Sequence, residues 1–181
     1  QGMDTIIVTG DNDELQLISP KVKVLLPQRG FSESNLYDVA AVQAKFGVSP
    51  EQIPDLKGLR GDPSDNIPGV PGVGDRTAAR LIQQFGTVED VYQHLSEITP
   101  PKLRETLQAG EAQARQGKKL ATIIMEVPVD FQPARCTVGS YDRNRLVQLF
   151  RELQFFRVLD RLQELGEARP SESVSLAAGD L

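Results

Sequence analysis

The sequence has 181 residues, of which 39% are hydrophobic and 25% charged, ordinary values for a soluble globular protein. No apolar run approaches the roughly 18 residues of a membrane span, and no signal-peptide pattern opens the chain, so we expect no membrane partner. The single Cys136 cannot form an internal disulfide, which makes a reducing, cytoplasmic setting the default. The net charge of −5 argues against a histone-like binder, but a DNA-processing enzyme stays open because a carboxylate-rich metal site is itself acidic.

The first predicted element is a short strand, Thr5–Thr9, whose β-branched apolar residues are typical of a strand buried in a parallel sheet. A short helix is predicted over Asp11–Ile18, and a second strand over Lys21–Leu26, which stops at Pro27. One β-α-β unit cannot bury both faces of a sheet, so we expect a fragment that begins inside an α/β domain. An uncovered sheet edge would also invite self-association with another copy of the chain.

Two carboxylates follow the first predicted strand. Asp11 and Asp13 lie at its carboxyl end, where α/β folds bind ligands, so they are candidates for a metal site. The alternative is an Asx turn or a helix N-cap. An EF-hand is excluded, because its loop requires Gly at position 6 and Glu at position 12, where this chain has Gln16 and Val22.

A second aspartate pair lies further along the chain. Asp62 and Asp65 are three residues apart, which on a helix places two side chains about 5–6 Å from each other, close enough to share a divalent cation. Pro63 between them fits the first turn of a helix better than its interior. Capping and turn formation are an equally open interpretation of this pair.

The remaining pattern is mainly helical. Ser32 is predicted to cap a helix that extends to about Phe46. Asp142 is predicted to cap another amphipathic helix, and a last helix is predicted to end at Gly166. The residues after Gly166 have the composition of a linker.

A turn rich in Gly and Pro, residues 67–74, precedes an amphipathic helix that ends at Gly86. The glycines permit close backbone approach, and the helix start offers free N–H groups to an anion. Arg76 and Arg80 share a helix face from which both could reach a phosphate backbone, although a solvated face would look the same. Thr87 opens the next helix, so that two helices flank a hairpin suited to nucleic-acid backbone binding; a structural helix–turn–helix corner is the alternative.

Three blocks of sequence stand out: VTGDNDELQL at 8–17, LRGDPSDNIPGV at 59–70, and GVG at 72–74 followed by Thr77 and Ala78. Together they resemble the 5′→3′ exonuclease (flap nuclease) domain of bacterial DNA polymerase I. Their order and spacing are specific, and the resemblance extends from residue 1 to about residue 166.

The resemblance implies an α/β fold remnant, part of a parallel-sheet, PIN/resolvase-like nuclease core, followed by a mainly α-helical domain with a helix–hairpin–helix-like (SAM-like) DNA-binding motif. The expected domains are the truncated α/β core at 1–31, the helical domain at 32–166 with its hairpin motif at 67–86, and a linker at 167–181.

The resemblance also implies the site residues. The divalent metal, normally Mg²⁺ or Mn²⁺, would be held by Asp11, Asp13, Asp62 and Asp65, with no catalytic residue beyond these ligands. A K⁺ ion is often held by hairpin carbonyls in this family. The residues that would contact DNA are Gly69, Val70, Gly72, Val73, Gly74, Arg76, Thr77 and Arg80.

Such a nuclease uses two cations about 3.5–4 Å apart to activate a water and stabilise the leaving oxygen in phosphodiester hydrolysis. In the family, the first half of the domain carries the other strands and further acids, and we expect none of that half in this chain. We therefore expect a cytoplasmic, nucleoid-associated fragment of a bacterial polymerase, used in DNA replication and repair, that is inactive alone. Its partners would be duplex or 5′-flap DNA and the rest of the polymerase chain. The alternatives are a non-catalytic helix–hairpin–helix DNA-binding module, in which the aspartates are caps, and a purely structural helical domain.

Overall fold

The structure, a computed structural model, describes residues 2–28, 33–136 and 141–167. The chain divides into two compact units, Gln1–Val127 and Pro128–Leu181. In the described part, the first unit holds three strands and six α-helices, and the second holds two α-helices. Across the described residues, every helix is too short or too polar to cross a membrane.

The strands are β1 Thr5–Val8, β2 Val22–Gln28 and β3 Glu33–Tyr37. They form a small mixed sheet with the strand order β1-β2-β3. β1 and β2 are parallel, as predicted, and are joined by a short 3-10 helix, Asp13–Leu17, in place of the helix predicted from Asp11. β3 is antiparallel to β2, and β2 continues through Pro27 instead of stopping there.

β1 is an edge strand, and the prediction that it is buried on both faces is wrong. Its only neighbour in the described sheet is β2, and the side chains of Ile6 and Val8 are 58% and 59% exposed. Ile7, which points to the opposite face, packs against the core. The free edge of β1 carries no charged residue or proline that would discourage pairing, but self-association through it stays a prediction.

The helix predicted from Ser32 is wrong over its first part. Ser32 itself lies outside the described residues, and Glu33–Tyr37 forms β3. Tyr37 is buried opposite Val24 of β2, so sheet pairing prevails over the local helical spacing. The first helix, α1, spans Val39–Phe46 and begins after Asp38, whose carboxylate accepts a hydrogen bond from the Ala41 N–H at 2.9 Å.

The remaining helices of the first unit are α2 Ile53–Arg60, α3 Asp75–Phe85, α4 Val88–Gln93, α5 Pro101–Ala109 and α6 Glu111–Ala121. Seven consecutive residues of α2 are buried, and α3, α4 and α6 pack against this helix. Glycines permit the close packing of α2 on α6: a Cβ atom at Gly58 would lie 2.7 Å from the carbonyl oxygen of Ala114.

The predicted features of α3 and α4 are confirmed. The core side of α3 buries Ala78, Leu81 and Ile82 at helical spacing. Thr87 caps α4, because its hydroxyl oxygen accepts the Asp90 N–H at 3.2 Å and its O–H donates to the Asp90 carboxylate at 2.6 Å.

An ion cluster built on the buried Asp55 joins α2 to α4 and α6. The Asp55 carboxylate accepts the Val88 N–H at 2.7 Å and pairs with Lys118 at 2.7 Å, and Lys118 also pairs with Glu89 at 2.5 Å. Burial alone would lower the pKa of Lys118, but its hydrogen bonds with Asp55 and Glu89 outweigh burial and raise that pKa above the ordinary value. Burial would likewise raise the pKa of Glu89, yet Lys118 draws it below the ordinary value.

The second unit contains α7, Arg143–Glu152, and α8, Phe156–Glu167. Asp142 caps α7, as predicted, by accepting the Arg145 N–H at 3.1 Å. The domain boundaries at 31/32 and 166/167 stay predictions; β3 continues the sheet to Tyr37, and residues 168–181 of the predicted linker lie outside the described residues.

Replacing Lys118 tests the ion cluster around Asp55. We expect Lys118→Met to lower the free energy of unfolding by about 3–5 kcal/mol, because the carboxylate of Asp55 would stay buried without its cation. Urea unfolding at pH 7, followed by circular dichroism, measures the change. Lys119→Met is the matched control, since Lys119 is exposed on the same helix and its loss should cost less than about 0.5 kcal/mol. Equal effects of the two substitutions would contradict the prediction.

Candidate metal centre and nucleic-acid interface

Three of the four aspartates singled out from the sequence converge. Asp13, Asp62 and Asp65 each offer one carboxylate oxygen, and these oxygens all lie within 4.8 Å of one another. Asp13 opens the 3-10 helix after β1, whereas Asp62 caps and Asp65 ends a second 3-10 turn, Pro63–Asp65, just beyond the end of α2. The end of the parallel strand pair therefore meets the end of the buried helix at one acidic cluster.

Asp11 lies outside this group. It is exposed, and its Oδ1 accepts the Asp13 N–H at 2.9 Å, which is the Asx turn considered as the alternative for this pair. Asp11 thereby fixes the backbone at Asp13. Its role as a metal ligand stays a prediction.

Asp62 has two functions in the fold, because its two oxygens face different partners. Oδ1 accepts the Ser64 N–H at 3.0 Å and the Ser64 hydroxyl at 2.5 Å, so the capping interpretation is confirmed. Oδ2 faces the Lys57 ammonium at 2.5 Å. Burial would raise the pKa of Asp62, but the hydrogen bonds from Lys57 and Ser64 outweigh burial and hold that pKa below its ordinary value of 3.8.

Lys57 is the member of the cluster that the sequence analysis missed. Its side chain is 2% exposed, and its ammonium contacts Asp13, lies 2.5 Å from Asp62 and lies 3.8 Å from Asp65. A signal for it exists in the sequence: a lysine stands in the middle of a helix whose neighbours are buried, and buried lysines are almost always paired. Three carboxylates and one ammonium leave this group with a charge of −2 when all are ionised.

The predicted hairpin is a tight turn anchored in the core. The Val70 N–H donates to the Leu59 carbonyl at 2.8 Å, and the side chains of Val70 and Val73 are buried. These two valines therefore hold the turn against the helices, and any contact they make with a ligand is through the backbone. Gly72 has φ of 81° and lies at the exposed side of the turn, where a side chain would find nothing within 4 Å.

Gly69 sets how closely the hairpin approaches the end of α2. Its φ is 63°, and a Cβ atom there would overlap the backbone of Arg60 and Gly61, with the Arg60 carbonyl oxygen only 2.7 Å away. Asp62 and Ile67 form a backbone bridge just before this contact, through hydrogen bonds of 2.8 and 2.9 Å. The acidic cluster and the hairpin are thus built on the same short loop.

The start of α3 faces outward beside the hairpin. Its N-cap is Gly74, which offers no side-chain acceptor, so the first N–H groups of the helix have no capping partner. Arg76 and Arg80 are exposed, as a backbone-contacting role requires, and Thr77 is half-buried. Asp75 adds a negative charge to this first turn, and Arg60 pairs with it at 2.5 Å.

The fold is that of a 5′-exonuclease. A T5 5′-exonuclease structure with bound zinc aligns with a TM-score of 0.57 and 27% identity, over 64% of this chain and 42% of that one. The family model described as 5′-3′ exonuclease, C-terminal SAM fold, matches residues 48–144, more than half of the sequence, and the chain belongs to this family. The α/β remnant followed by a SAM-like helical domain, as predicted, is confirmed.

The sequences of two DNA polymerase I enzymes support the assignment to this family. DNA polymerase I of Bacillus caldotenax is 41% identical over 99% of this chain, and that of Bacillus subtilis is 37% identical over 96%. The chain spans only about a fifth of these relatives, 21% and 20% of their lengths. It is homologous to the 5′-3′ exonuclease region of DNA polymerase I, so the resemblance stated from the sequence is confirmed.

The hairpin geometry predicts different effects for two glycines that both have positive φ. We expect Gly69→Ala to lower the free energy of unfolding by about 2–4 kcal/mol, since it adds backbone overlap to conformational strain. Gly72→Ala keeps the strain without the overlap and should cost about 1 kcal/mol. Chemical denaturation of both variants measures the difference, and a Gly69→Ala protein as stable as Gly72→Ala would contradict the close approach.

Proposed function

We propose that this chain is part of the 5′→3′ exonuclease (flap nuclease) region of a DNA polymerase I. In the longer protein it would bind the duplex backbone and supply one side of a two-metal phosphodiesterase site, in the cytoplasm and at the nucleoid. The observation that carries the proposal is the convergence of Asp13, Asp62 and Asp65 beside a hairpin built on the same loop. The homology to DNA polymerase I supports it, over about a fifth of the length of those relatives.

The donor atoms suit a hard divalent cation. Asp13, Asp62 and Asp65 offer oxygen ligands alone, which Mg²⁺ and Mn²⁺ prefer and which soft metals do not. Several T5 structures contain metal ions, among them one with zinc and one with DNA and metal ions. When bound, such cations activate a water and stabilise the leaving oxygen of a phosphodiester. The three aspartates would hold the cation. Asp11 orients the backbone of Asp13, and we propose that Asp11 is a metal ligand as well.

The chain's contribution to the substrate is backbone binding. The open turn at Gly72 and Gly74 and the uncapped start of α3 present N–H groups, and Arg76 and Arg80 add positive charge beside them. Contacts of this kind grip phosphates without reading bases, which fits an enzyme that recognises DNA shape. A flap endonuclease of T5 that is described in complex with DNA has the same fold, with a TM-score of 0.56 and 26% identity. We also propose that carbonyl groups of the hairpin hold a K⁺ ion.

Metal titration tests the acidic cluster. We expect the wild-type chain to bind Mn²⁺ saturably, and Asp62→Ala and Asp65→Ala to weaken binding at least about tenfold, because each removes a ligand. Isothermal titration calorimetry at constant ionic strength measures the affinities. Asp65→Ala is the cleaner variant, since Asp62 also caps a turn. Asp75→Ala is the control, as an exposed acid outside the group. Unchanged Mn²⁺ affinity in Asp65→Ala would favour the alternative of a non-catalytic DNA-binding module, in which the aspartates are caps.

DNA binding tests the hairpin independently of the metal. We expect Arg76→Ala/Arg80→Ala to reduce the salt slope of binding to a 5′-flap duplex by about 2, because each arginine that neutralises a phosphate contributes about 1 to that slope. Fluorescence anisotropy over a range of KCl concentrations, in EDTA, gives the slope. Lys102→Ala/Lys119→Ala removes the same charge from exposed positions on α5 and α6 and should leave the slope nearly unchanged. An equal reduction in both double variants would show that the arginines act only through net charge.

A further inference from the structure

We propose that Lys57 is the resident counter-ion of the acidic cluster. Its ammonium holds Asp13, Asp62 and Asp65 together in the metal-free protein, and a divalent cation takes over the same oxygens when it binds. The second half of this inference rests on the proposed metal site, whereas the first half concerns the metal-free protein alone.

The position of Lys57 on α2 keeps its ammonium away from water. Its side chain is 2% exposed, in a helix whose residues from Ile53 to Leu59 are all buried. A lysine ammonium is buried in proteins only when charged or polar groups replace its water, because removing it from water unpaired costs several kcal/mol. Within the described residues, its ion-pair partners are the three aspartates of the cluster.

The three carboxylates of the cluster, in turn, require a positive charge beside them. Three carboxylate oxygens within 4.8 Å repel one another when ionised, and the side chain of Asp62 is only 9% exposed, so water screens it poorly. Ser64 satisfies Oδ1 of Asp62, but Oδ2 faces Lys57. Removing the ammonium would therefore leave a buried carboxylate beside two others with no positive charge among them.

The ammonium and a divalent cation draw on the same atoms. Lys57 contacts Oδ1 of Asp13 and Oδ2 of Asp62, and the group of oxygens suited to a cation is made by those two residues and Asp65. A hard cation requires oxygens at close range, about 2.0–2.6 Å for Mg²⁺ and Ca²⁺. Binding therefore replaces contacts with Lys57, and the affinity for metal is set partly by how firmly Lys57 holds the cluster.

The Lys118 cluster gives a matched comparison within the same unit. Lys118 is also paired with two acids, Asp55 and Glu89, and one of them is buried. Among the described residues, one group of three acids could hold a metal, and neither Asp55 nor Glu89 belongs to it. Loss of either lysine should thus destabilise the metal-free protein, but only the loss of Lys57 should be compensated by a divalent cation.

The experiment compares Lys57→Met, Lys118→Met and wild type by thermal unfolding in EDTA and in excess Mn²⁺. Each variant should lose on the order of 10 °C in EDTA, because a buried carboxylate loses its cation. Mn²⁺ should restore most of that loss in Lys57→Met and little of it in Lys118→Met. Calorimetric titration should show Mn²⁺ binding at least about tenfold tighter in Lys57→Met than in wild type, since the ammonium no longer competes.

A second variant covers the case in which Lys57→Met does not fold in EDTA. Lys57→Met/Asp62→Asn removes one negative charge with the positive one, and it should fold and melt above the single Lys57 variant. Failure of the double variant to do so would overturn the inference, as would a Lys57→Met protein that melts with wild type in EDTA. Wild-type protein that binds no Mn²⁺ would contradict the proposed metal site instead, and the EDTA comparison would still decide the role of Lys57 in the metal-free fold.

Discussion

Much of this structure depends on the neutralisation of two opposite charges inside one buried helix. α2 carries Asp55 and Lys57 among apolar neighbours, and neither can reach water. Asp55 draws in the start of α4 and Lys118 of α6, which fixes the helical scaffold. Lys57 draws in Asp13 from the end of β1 and the aspartates that follow α2. Scaffold and candidate site are therefore assembled by the same requirement, that a buried charge must be paired.

Close backbone packing at the end of α2 completes the arrangement. Gly58 lets α6 approach α2, and Gly69 lets the hairpin approach the residues that lead from α2 to the acidic cluster. A side chain at Gly69 would push the hairpin away from the residues that lead to the aspartates, and one at Gly58 would push α6 away from α2. Val70 and Val73 hold the same turn from the other side by burial in the core. The exposed face of the turn is left free, which is what a backbone-binding surface requires.

Local patterns in the sequence identified most of the helices, and the resemblance to the exonuclease family placed the three converging aspartates in one cluster. Local patterns failed where distant residues decide the outcome. The spacing of α3 and the caps at Thr87 and Asp142 depend on neighbours in the chain, so they could be recognised directly. β3 is a strand because it pairs with β2, a contact that the pattern predicting a helix from Ser32 does not reveal. Lys57 was missed because the sequence shows a lysine in the middle of a helix but not its partner Asp13, which is 44 positions away.

The bridge between Asp62 and Ile67 joins the acidic cluster to the hairpin by a loop closed with two backbone hydrogen bonds, and Gly69 seats the end of that loop on α2. Under the proposed function, the distance between a phosphate bound at the hairpin and a phosphate next to the cations would therefore be fixed by the fold. The loop would then act as a molecular ruler, whose length sets how many nucleotides separate the bound phosphate from the point of cleavage.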